Sequence, residues 1–175
     1  MILALIGLRG SGKSTIGPRV ARKLGWEFID SDAQVVARAG CSIRALFERQ
    51  GESAFRDLEA EVIAALPESE RCVVALGGGA LDRPETVARL RPVARFVWLR
   101  AAPETLARRI SADPHSTEQR PPLTNLPPAD ELRALLARRE PIFAALAELT
   151  IETDALSPDA ATEQIVAWQR SKNRA

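Results

Sequence analysis

The sequence predicts an α/β protein with a three-layer architecture, in which helices cover both faces of a five-stranded parallel sheet. Three observations lead to this prediction. Short apolar runs alternate with longer stretches of helical periodicity, as they do in consecutive βαβ units. The first run, 2–6, is apolar at every position, which is typical of a strand buried on both faces. It leads directly into a glycine-rich loop that opens a helix.

The elements are expected to alternate along the whole chain. The predicted strands are 2–6, 26–30, 72–76, 95–99 and, with a weaker pattern, 149–153. The predicted helices are 13–24, 32–39, 43–66 with a break near Gly51, 84–91, 103–110, 129–147 and 158–171. Because ligands of such sheets bind beyond the carboxyl ends of the strands, functional residues are expected there.

Length and composition restrict the class of protein. A chain of 175 residues predicts one domain, 1–175, because domains commonly run about 100–200 residues. The net charge is +1, from 24 Lys+Arg and 23 Asp+Glu, which makes nucleic acid or an anionic membrane a poor partner. Apolar runs are far shorter than the roughly 20 residues of a membrane span. Cys41 and Cys72 lack metal-binding spacing and indicate reduced thiols in a cytoplasmic protein.

The glycine-rich loop predicts a polyphosphate site. Residues 7–14 match G-x-x-x-x-G-K-[ST] between a predicted strand and a predicted helix, which is the context that supports this motif. Lys13 is expected to reach the β and γ phosphates, and Ser14 to offer its hydroxyl to Mg²⁺. A purely structural turn would leave Lys13 and Ser14 unexplained. The nucleotide-binding candidates in the loop are Gly10, Ser11, Gly12, Lys13, Ser14 and Thr15.

Two carboxylates end the second predicted strand, in the sequence Asp30-Ser-Asp32. Asp30 is expected to hold the hydrated Mg²⁺ beside Ser14, and Asp32 to face the acceptor of the phosphoryl group. The alternative for Asp32 is an N-cap of the next helix, a position that aspartate favours. GTPase motifs of the N-K-x-D kind are absent from the chain, which favours a small-molecule kinase or an ATPase.

Two arginines fall on helix faces that are otherwise apolar. Arg139 lies within the apolar stripe of the helix 129–147, and Arg56 lies at the edge of the inward stripe that contains Glu59. A buried arginine is costly unless it is paired or contacts an anion. The two arginines therefore suggest a site for a substrate carboxylate. A simple helix ion pair between Arg56 and Glu59, at positions i and i+3, is the alternative.

Two further segments follow predicted strands or helices. Gly77, Gly78 and Gly79 follow the third strand and permit a ligand to approach the backbone closely. The alternative is a tight turn, for which one glycine usually suffices. The proline-rich stretch 111–128 is predicted to be a mobile lid rather than a plain surface loop. Within it, Arg120 could move onto the nucleotide phosphates when the lid closes.

The joint spacing of these motifs resembles shikimate kinase over nearly the whole chain. Their sequences are Gly-x-x-Gly-Ser-Gly-Lys-Ser-Thr at 7–15, Asp-Ser-Asp at 30–32, Gly-Glu-x-x-Phe-Arg-x-x-Glu at 51–59, Gly-Gly-Gly-Ala at 77–80, Arg-Pro-x-Leu at 120–123 and Arg-x-Pro-Ile-Phe at 139–143. The resemblance implies a P-loop kinase fold with strand order 2-3-1-4-5. It also implies transfer of the ATP γ-phosphoryl group to the 3-hydroxyl of shikimate, in the route to chorismate and the aromatic amino acids.

The resemblance also implies roles for individual residues. Asp32 would orient and deprotonate the shikimate hydroxyl, while Lys13 and Arg120 would neutralise charge on the phosphates. The implied shikimate contacts, besides Asp32, are Arg56, Gly77, Gly78, Gly79 and Arg139. Arg109 and Pro158 would flank adenine, and Ser14 and Asp30 would serve the Mg²⁺ cofactor.

We expect a cytoplasmic monomer whose partners are ATP, ADP and shikimate, with a substrate-binding helical region at about 32–66. Two alternatives stay open at this point. One is a kinase of another small hydroxy acid, such as gluconate, and the other is a non-catalytic P-loop nucleotide-binding module.

Overall fold

A computed structural model of the chain describes residues 1–67, 70–113 and 127–173. Its five strands form one parallel sheet in the order β2-β3-β1-β4-β5, which confirms the α/β P-loop kinase fold and the order 2-3-1-4-5. The strands are β1 (Ile2–Ile6), β2 (Glu27–Asp30), β3 (Cys72–Ala75), β4 (Ala94–Arg100) and β5 (Ala147–Glu152). Strand β1 is central and pairs with β3 and β4, so the loop that follows it emerges in the middle of the sheet.

Helices connect the strands and cover both faces of the sheet. They are α1 (Lys13–Leu24), α2 (Ser31–Ala39), α3 (Ile43–Ala64), α4 (Pro84–Leu90), α5 (Pro103–Ala112), α6 (Pro128–Leu146) and α7 (Pro158–Lys172), with a short 3-10 helix at Ala80–Asp82. The break expected near Gly51 is confirmed, because Gly51 interrupts α3 with φ 81° and ψ 173°. Among the described residues, no helix combines the length and apolar character needed to cross a membrane.

The predicted element boundaries differ from the observed ones by two residues at most. The largest shifts are at the end of α3, the end of α5 and the start of β5, each by two residues. Strand β5 begins at Ala147 because that residue takes an extended conformation, with φ −66° and ψ 123°, while its N–H still donates to the carbonyl oxygen of Phe143. Helix α6 and strand β5 therefore join with no loop between them.

The hydrophobic core has three parts. One face of the sheet packs against residues of α3, α5 and α6, including Ile63, Leu106 and Phe143. The opposite face packs against α1 and α7. A third cluster joins α2 to α3 around Phe55, which is fully buried. This third cluster holds the two helices beyond the carboxyl end of β2, so it positions their side chains beside the loop that follows β1.

Candidate active site

The residues that follow the strands meet around one cavity of about 920 Å³. The described residues that line it come from the loop after β1, from the ends of β2, β3 and β5, and from α2 and α5. The sequence-based candidates among them are Gly10, Ser11, Gly12, Lys13, Ser14, Thr15, Asp30, Asp32, Gly78, Arg109 and Pro158. Residues that are far apart in the sequence therefore share one site at the carboxyl edge of the sheet.

The loop after β1 depends on glycine at its first position. Gly7 has φ 139°, and a Cβ atom there would lie 2.4 Å from the carbonyl oxygen of Leu99. Gly12 has φ 101° and caps the start of α1 without a side-chain hydrogen bond. The helix N-terminus thus faces the cavity with its partial positive charge, as an anion site requires.

Lys13 is folded back over the loop that precedes it. Its Nζ atom donates to the carbonyl oxygens of Gly7 at 2.7 Å and Leu8 at 2.9 Å, and to Oγ of Ser11 at 3.4 Å. The residue is only 9% exposed, so the ammonium group is held inside the loop. A polyphosphate bound by this loop would meet a charge that is already in position.

Ser14 and Asp30 form the oxygen-rich end of the cavity. Oγ of Ser14 donates to Oδ2 of Asp30 at 2.7 Å. Hydroxyl and carboxylate oxygens are the ligands that Mg²⁺ prefers, and Mg²⁺ usually takes its other ligands from phosphates and water. Within the described residues, no group of three or more histidine, cysteine or acidic side chains is placed to hold a metal by itself. The pair therefore fits a divalent cation that arrives with a nucleotide.

Asp30, not Asp32, caps helix α2. Oδ1 of Asp30 accepts from the backbone N–H groups of Asp32 at 3.0 Å and Ala33 at 3.4 Å. The N-cap interpretation of Asp32 is therefore wrong, because the chain turns into the helix two residues earlier. Asp32 instead lies in the first turn of α2 and lines the cavity.

Ser31, between the two aspartates, connects two strand ends. Its buried Oγ atom accepts a hydrogen bond from the N–H of Gly77 at 2.9 Å. This bond ties the end of β2 to the glycine run after β3 and so fixes Asp32 relative to Gly78. Sequence reasoning did not identify Ser31, although a small hydroxyl residue between two strand-end aspartates is a signal that could have indicated it.

The glycine run packs against the loop after β1 at Gly78 and approaches two arginines closely at Gly79. A Cβ atom on Gly78 would lie 3.5 Å from the backbone nitrogen of Arg9 in the loop after β1. A Cβ atom on Gly79 would lie 2.6 Å from Nη2 of Arg56 and 2.7 Å from Nη2 of Arg139. The structure therefore brings Arg56 and Arg139 together at the glycine backbone, and their role as one substrate site stays a prediction.

Arg56 is held from two sides by acidic residues of its own helix. Nη1 donates to Oε2 of Glu59 at 2.8 Å, while Nε and Nη2 donate to Oε1 of Glu52 at 3.2 and 3.1 Å. Glu59 is only 2% exposed. Burial alone would lower the pKa of Arg56, but the ion pairs with Glu59 and Glu52 outweigh burial and raise the pKa above its usual value. The guanidinium is therefore a permanent and rigid cation.

Arg139 is held by a residue that sequence reasoning missed. Arg139 is 4% exposed, as the apolar stripe of its helix predicted. Nε donates to Oδ1 of Asp82 at 2.9 Å and Nη2 donates to Oδ2 at 2.7 Å. Burial would raise the pKa of Asp82, but hydrogen bonds and charge from Arg139, with further charge from Arg138 and Arg56, lower it below its usual value. No local sequence signal pairs Asp82 with Arg139, because 57 residues separate them.

Arg109 bridges the phosphate loop and the end of β5. Nη2 donates to the carbonyl oxygen of Thr153 at 2.6 Å, and Nη1 donates to Oγ1 of Thr153 at 3.1 Å and to the carbonyl oxygen of Gly10 at 3.4 Å. Leu156 and Pro158, which follow Thr153 in the chain, line the same cavity as Arg109. Arginine and apolar side chains at one end of a phosphate site can enclose a flat aromatic base.

The sequence-based candidates separate into two adjoining groups and one exception. The first group lines the cavity, and the second, Gly77, Gly79, Arg56 and Arg139, lies beside it without lining it. Gly78 and the Ser31–Gly77 hydrogen bond link the two groups. Arg120 falls in residues 114–126, outside the described residues, so the lid assignment stays a prediction.

Comparison with known proteins gives consistent results. The family model described as shikimate kinase matches residues 9–170. A shikimate kinase of Paracidovorax citrulli is 45% identical over 167 residues, which cover 94% of this chain and 89% of the relative. The solved structure of a shikimate kinase from Acinetobacter baumannii in complex with shikimate matches with a TM-score of 0.89 and 32% identity, covering 98% of this chain and 93% of the other. A gluconokinase from Sinorhizobium meliloti, at 18% identity and a TM-score of 0.54 over 98% of this chain and 95% of its own, shares the fold alone.

Proposed function

Because this chain belongs to the shikimate kinase family, an ATP-dependent family that phosphorylates an alcohol, we propose that it converts shikimate and ATP to shikimate 3-phosphate and ADP. One observation carries the proposal. A phosphate loop with its Ser14–Asp30 pair lies beside two guanidinium groups that converge on Gly79. Such a pair of arginines suits the single carboxylate of shikimate. The reaction belongs to the synthesis of chorismate and the aromatic amino acids.

In phosphoryl transfer, a protein contributes mainly by positioning the reactants and neutralising their charge. We assign the β and γ phosphates to the backbone of Gly10, Ser11 and Gly12, with Ser14 and Thr15 at the start of α1. Lys13 would exchange part of its hydrogen bonding to the loop carbonyls for bonds to phosphate oxygens. Since its Nζ atom already lies within the loop, little reorganisation is needed to place the charge.

Asp32 is assigned to the acceptor hydroxyl. It lines the same cavity as the phosphate loop and lies in the first turn of α2. The 3-hydroxyl oxygen of shikimate forms the new bond to the γ phosphorus as the bond from that phosphorus to the β–γ bridging oxygen breaks. Asp32 accepts a hydrogen bond from the hydroxyl, keeps its oxygen in line and receives the proton.

A divalent cation is a general requirement of ATP-dependent kinases, and we propose Mg²⁺ for this site. When bound, Mg²⁺ would supply positive charge that offsets the negative charge of the transferring phosphates. Ser14 and Asp30 are the residues that would hold it, directly or through water. The hydrogen bonds that Asp30 accepts from the start of α2 keep its carboxylate turned toward Ser14.

The shikimate carboxylate is assigned to Arg56 and Arg139, with the backbone of Gly77, Gly78 and Gly79 against the ring. Both guanidinium groups are oriented by acidic partners, so little side-chain entropy is lost when the carboxylate binds. Adenine is assigned to the end of the cavity at Arg109 and Pro158.

We further propose that the whole chain acts as one kinase domain and as a monomer, because the candidate site is built from a single copy. Its substrate-binding helical region is 32–66 and its lid is 111–128, which would bring Arg120 to the phosphates. A cytoplasmic location is consistent with Cys41 and Cys72, which are free thiols in the structure, since reducing compartments preserve thiols. We expect no nucleic-acid or membrane partner.

The test is a coupled assay of ADP release with purified protein. We expect turnover with shikimate in the presence of Mg²⁺, and loss of turnover when EDTA removes the metal. Gluconate and other small hydroxy acids serve as comparison substrates, since gluconate kinase is the competing enzymatic function. If the protein phosphorylates gluconate more efficiently than shikimate, gluconate is the substrate. ATP binding in calorimetry without binding of either acid would indicate the non-catalytic nucleotide-binding module.

A further inference from the structure

Asp82 forms a forked ion pair with Arg139 that none of the roles above uses. Its two carboxylate oxygens accept from Nε at 2.9 Å and Nη2 at 2.7 Å, so they occupy the Nε–Nη2 edge of the guanidinium. Oδ2 also accepts from Nη2 of Arg138 at 2.6 Å. The Asp82 side chain is 24% exposed, whereas the Arg139 side chain is 5% exposed. The pair therefore lies at the boundary between the core and the site.

The fork decides which edge of Arg139 faces the glycine run. A guanidinium can bind carboxylates at two edges, and a partner on the Nε–Nη2 edge leaves the Nη1–Nη2 edge for a second carboxylate. Nη2 of Arg139 lies 2.7 Å from the position that a Cβ atom on Gly79 would take. Nη2 and Nη1 of Arg56 lie 2.6 and 2.7 Å from the same position. Glu52 occupies the corresponding Nε–Nη2 edge of Arg56. Each arginine thus has an acidic partner on its Nε–Nη2 edge, and Glu59 also holds Nη1 of Arg56, while nitrogens of both arginines approach Gly79.

Asp82 and Gly79 belong to a single turn of backbone. The N–H of Asp82 donates to the carbonyl oxygen of Gly79 at 3.1 Å. The N–H of Ala80 donates to the carbonyl oxygen of Gly77 at 3.0 Å. These bonds close the 3-10 helix Ala80–Asp82. The carboxylate that orients Arg139 is therefore tied by short-range hydrogen bonds to the glycine backbone that Arg139 approaches.

We propose that Asp82 is a positioning residue for shikimate binding, which presents the terminal nitrogens of Arg139 to the substrate carboxylate above Gly79. This inference rests on the proposed function, because it takes Arg139 as a ligand of that carboxylate. Asp82 does not touch the substrate in this role and acts through Arg139.

The competing expectation is that Asp82 weakens shikimate binding. A carboxylate so close to the arginines could repel the substrate anion, and removing it would then tighten binding. Two observations favour positioning. Arg138 also pairs with Oδ2 of Asp82 and offsets part of its charge. Arg139 is buried, and a buried guanidinium without a partner is strongly destabilised or reorients.

The experiment compares Asp82→Asn and Asp82→Glu with the matched control Asp57→Asn. Asp57 also pairs with an arginine, Arg83 at 2.6 Å, but its side chain is 63% exposed and does not contact Arg139 in this ion pair. We expect Asp82→Asn to raise the KM for shikimate about tenfold, the usual effect of losing a hydrogen bond to a charged group. The KM for ATP and kcat should change less than about twofold, and Asp82→Glu should recover part of the loss. The Asp57→Asn control should match the wild type.

The methyl ester of shikimate separates failure of this inference from failure of the proposed function. The wild type should have a much higher KM for the ester than for shikimate, because the ester lacks the anion. If the wild type does not distinguish the two, the arginine clamp itself is wrong. If it does distinguish them and Asp82→Asn keeps the same ratio, only the role of Asp82 is wrong. A lower KM for shikimate in Asp82→Asn, or an equal loss of ATP and shikimate affinity in both Asp82 variants, would also overturn the inference.

Discussion

Oγ of Ser14, at the start of α1, donates a 2.7 Å hydrogen bond to Oδ2 of Asp30, at the end of β2. The other oxygen of Asp30 caps helix α2. One carboxylate thus joins the phosphate loop to the helix that carries Asp32. Since the Ser14–Asp30 pair is also the proposed cation site, its metal-binding and helix-capping roles have to be separated experimentally.

Asp30→Asn separates these two roles, because asparagine caps helices about as well as aspartate but lacks the negative charge. We expect the Mg²⁺ concentration for half-maximal activity to rise about tenfold or more, with little change in the melting temperature. Titration of kinase activity with Mg²⁺ measures the first quantity and thermal unfolding the second. The control is Ser42→Ala, which removes the cap of α3 and should lower stability by about 1 kcal/mol without altering the Mg²⁺ requirement.

Asp32→Asn tests the acceptor-side carboxylate. We expect kcat to fall by roughly 10²–10⁴, the usual share of a positioned acid or base, while the KM for ATP changes little. Initial rates under saturating shikimate and ATP give kcat directly. Glu163→Gln, at an exposed ion pair with Lys23, is the control and should keep normal turnover. Near-normal turnover of Asp32→Asn would remove Asp32 from the chemistry.

Arg139→Lys tests the buried half of the proposed carboxylate clamp. Lysine keeps the charge but cannot form the two-point contact of a guanidinium. We expect the KM for shikimate to rise at least about tenfold, while the KM for ATP is nearly unchanged. Arg138→Ala removes the exposed neighbouring arginine on the same helix and should have a much smaller effect. Loss of ATP binding in Arg139→Lys would instead assign Arg139 to the nucleotide or to the fold.

Gly79→Ala should disturb both arginines at once. The added methyl group would lie 2.6–2.7 Å from nitrogens of Arg56 and Arg139, so at least one guanidinium has to move. We expect weaker shikimate binding in calorimetry, with ATP affinity retained. Gly25→Ala is a useful contrast, because its φ of 69° makes alanine strained while the space around it is open. The Gly25→Ala variant should lose about 1 kcal/mol of stability and bind shikimate normally. If Gly79→Ala also binds shikimate normally, the close approach of the two arginines to Gly79 is wrong.

The ion pair of Asp82 predicts a pH dependence of stability. Because Arg139 and Arg138 lower the pKa of Asp82 below 3.8 in the folded protein, the ionised carboxylate stabilises the fold above that pH. This contribution is lost as the pH falls through the lowered folded-state pKa. We therefore expect the stability difference between wild type and Asp82→Asn to be constant near neutral pH and to shrink below about pH 4. Urea unfolding at several pH values measures it, and a difference that grows on acidification would contradict the assignment.

The sequence by itself determined the elements and the local motifs. All five strands and the helices 13–24 and 84–91 were predicted within two residues, because apolar periodicity and terminal glycines act over a few residues. The phosphate loop is equally local, since Lys13 binds carbonyl oxygens only five and six residues away. The burial of Arg139 also followed from sequence, because an arginine within an apolar helix stripe points into the core wherever that helix packs.

The tertiary structure decided which of these residues hold one another. Asp82 reaches Arg139 across 57 residues, and Ser31 reaches Gly77 across 46. Such pairs depend on the register of parallel strands and on where α6 packs, which side-chain patterns within one element do not encode. The capping role of Asp32 was wrong for a local reason, because α2 begins at Ser31 directly after β2 and Asp30 is its N-cap. Arginines at the right spacing predicted an anion site, but only packing determined which carboxylates orient them.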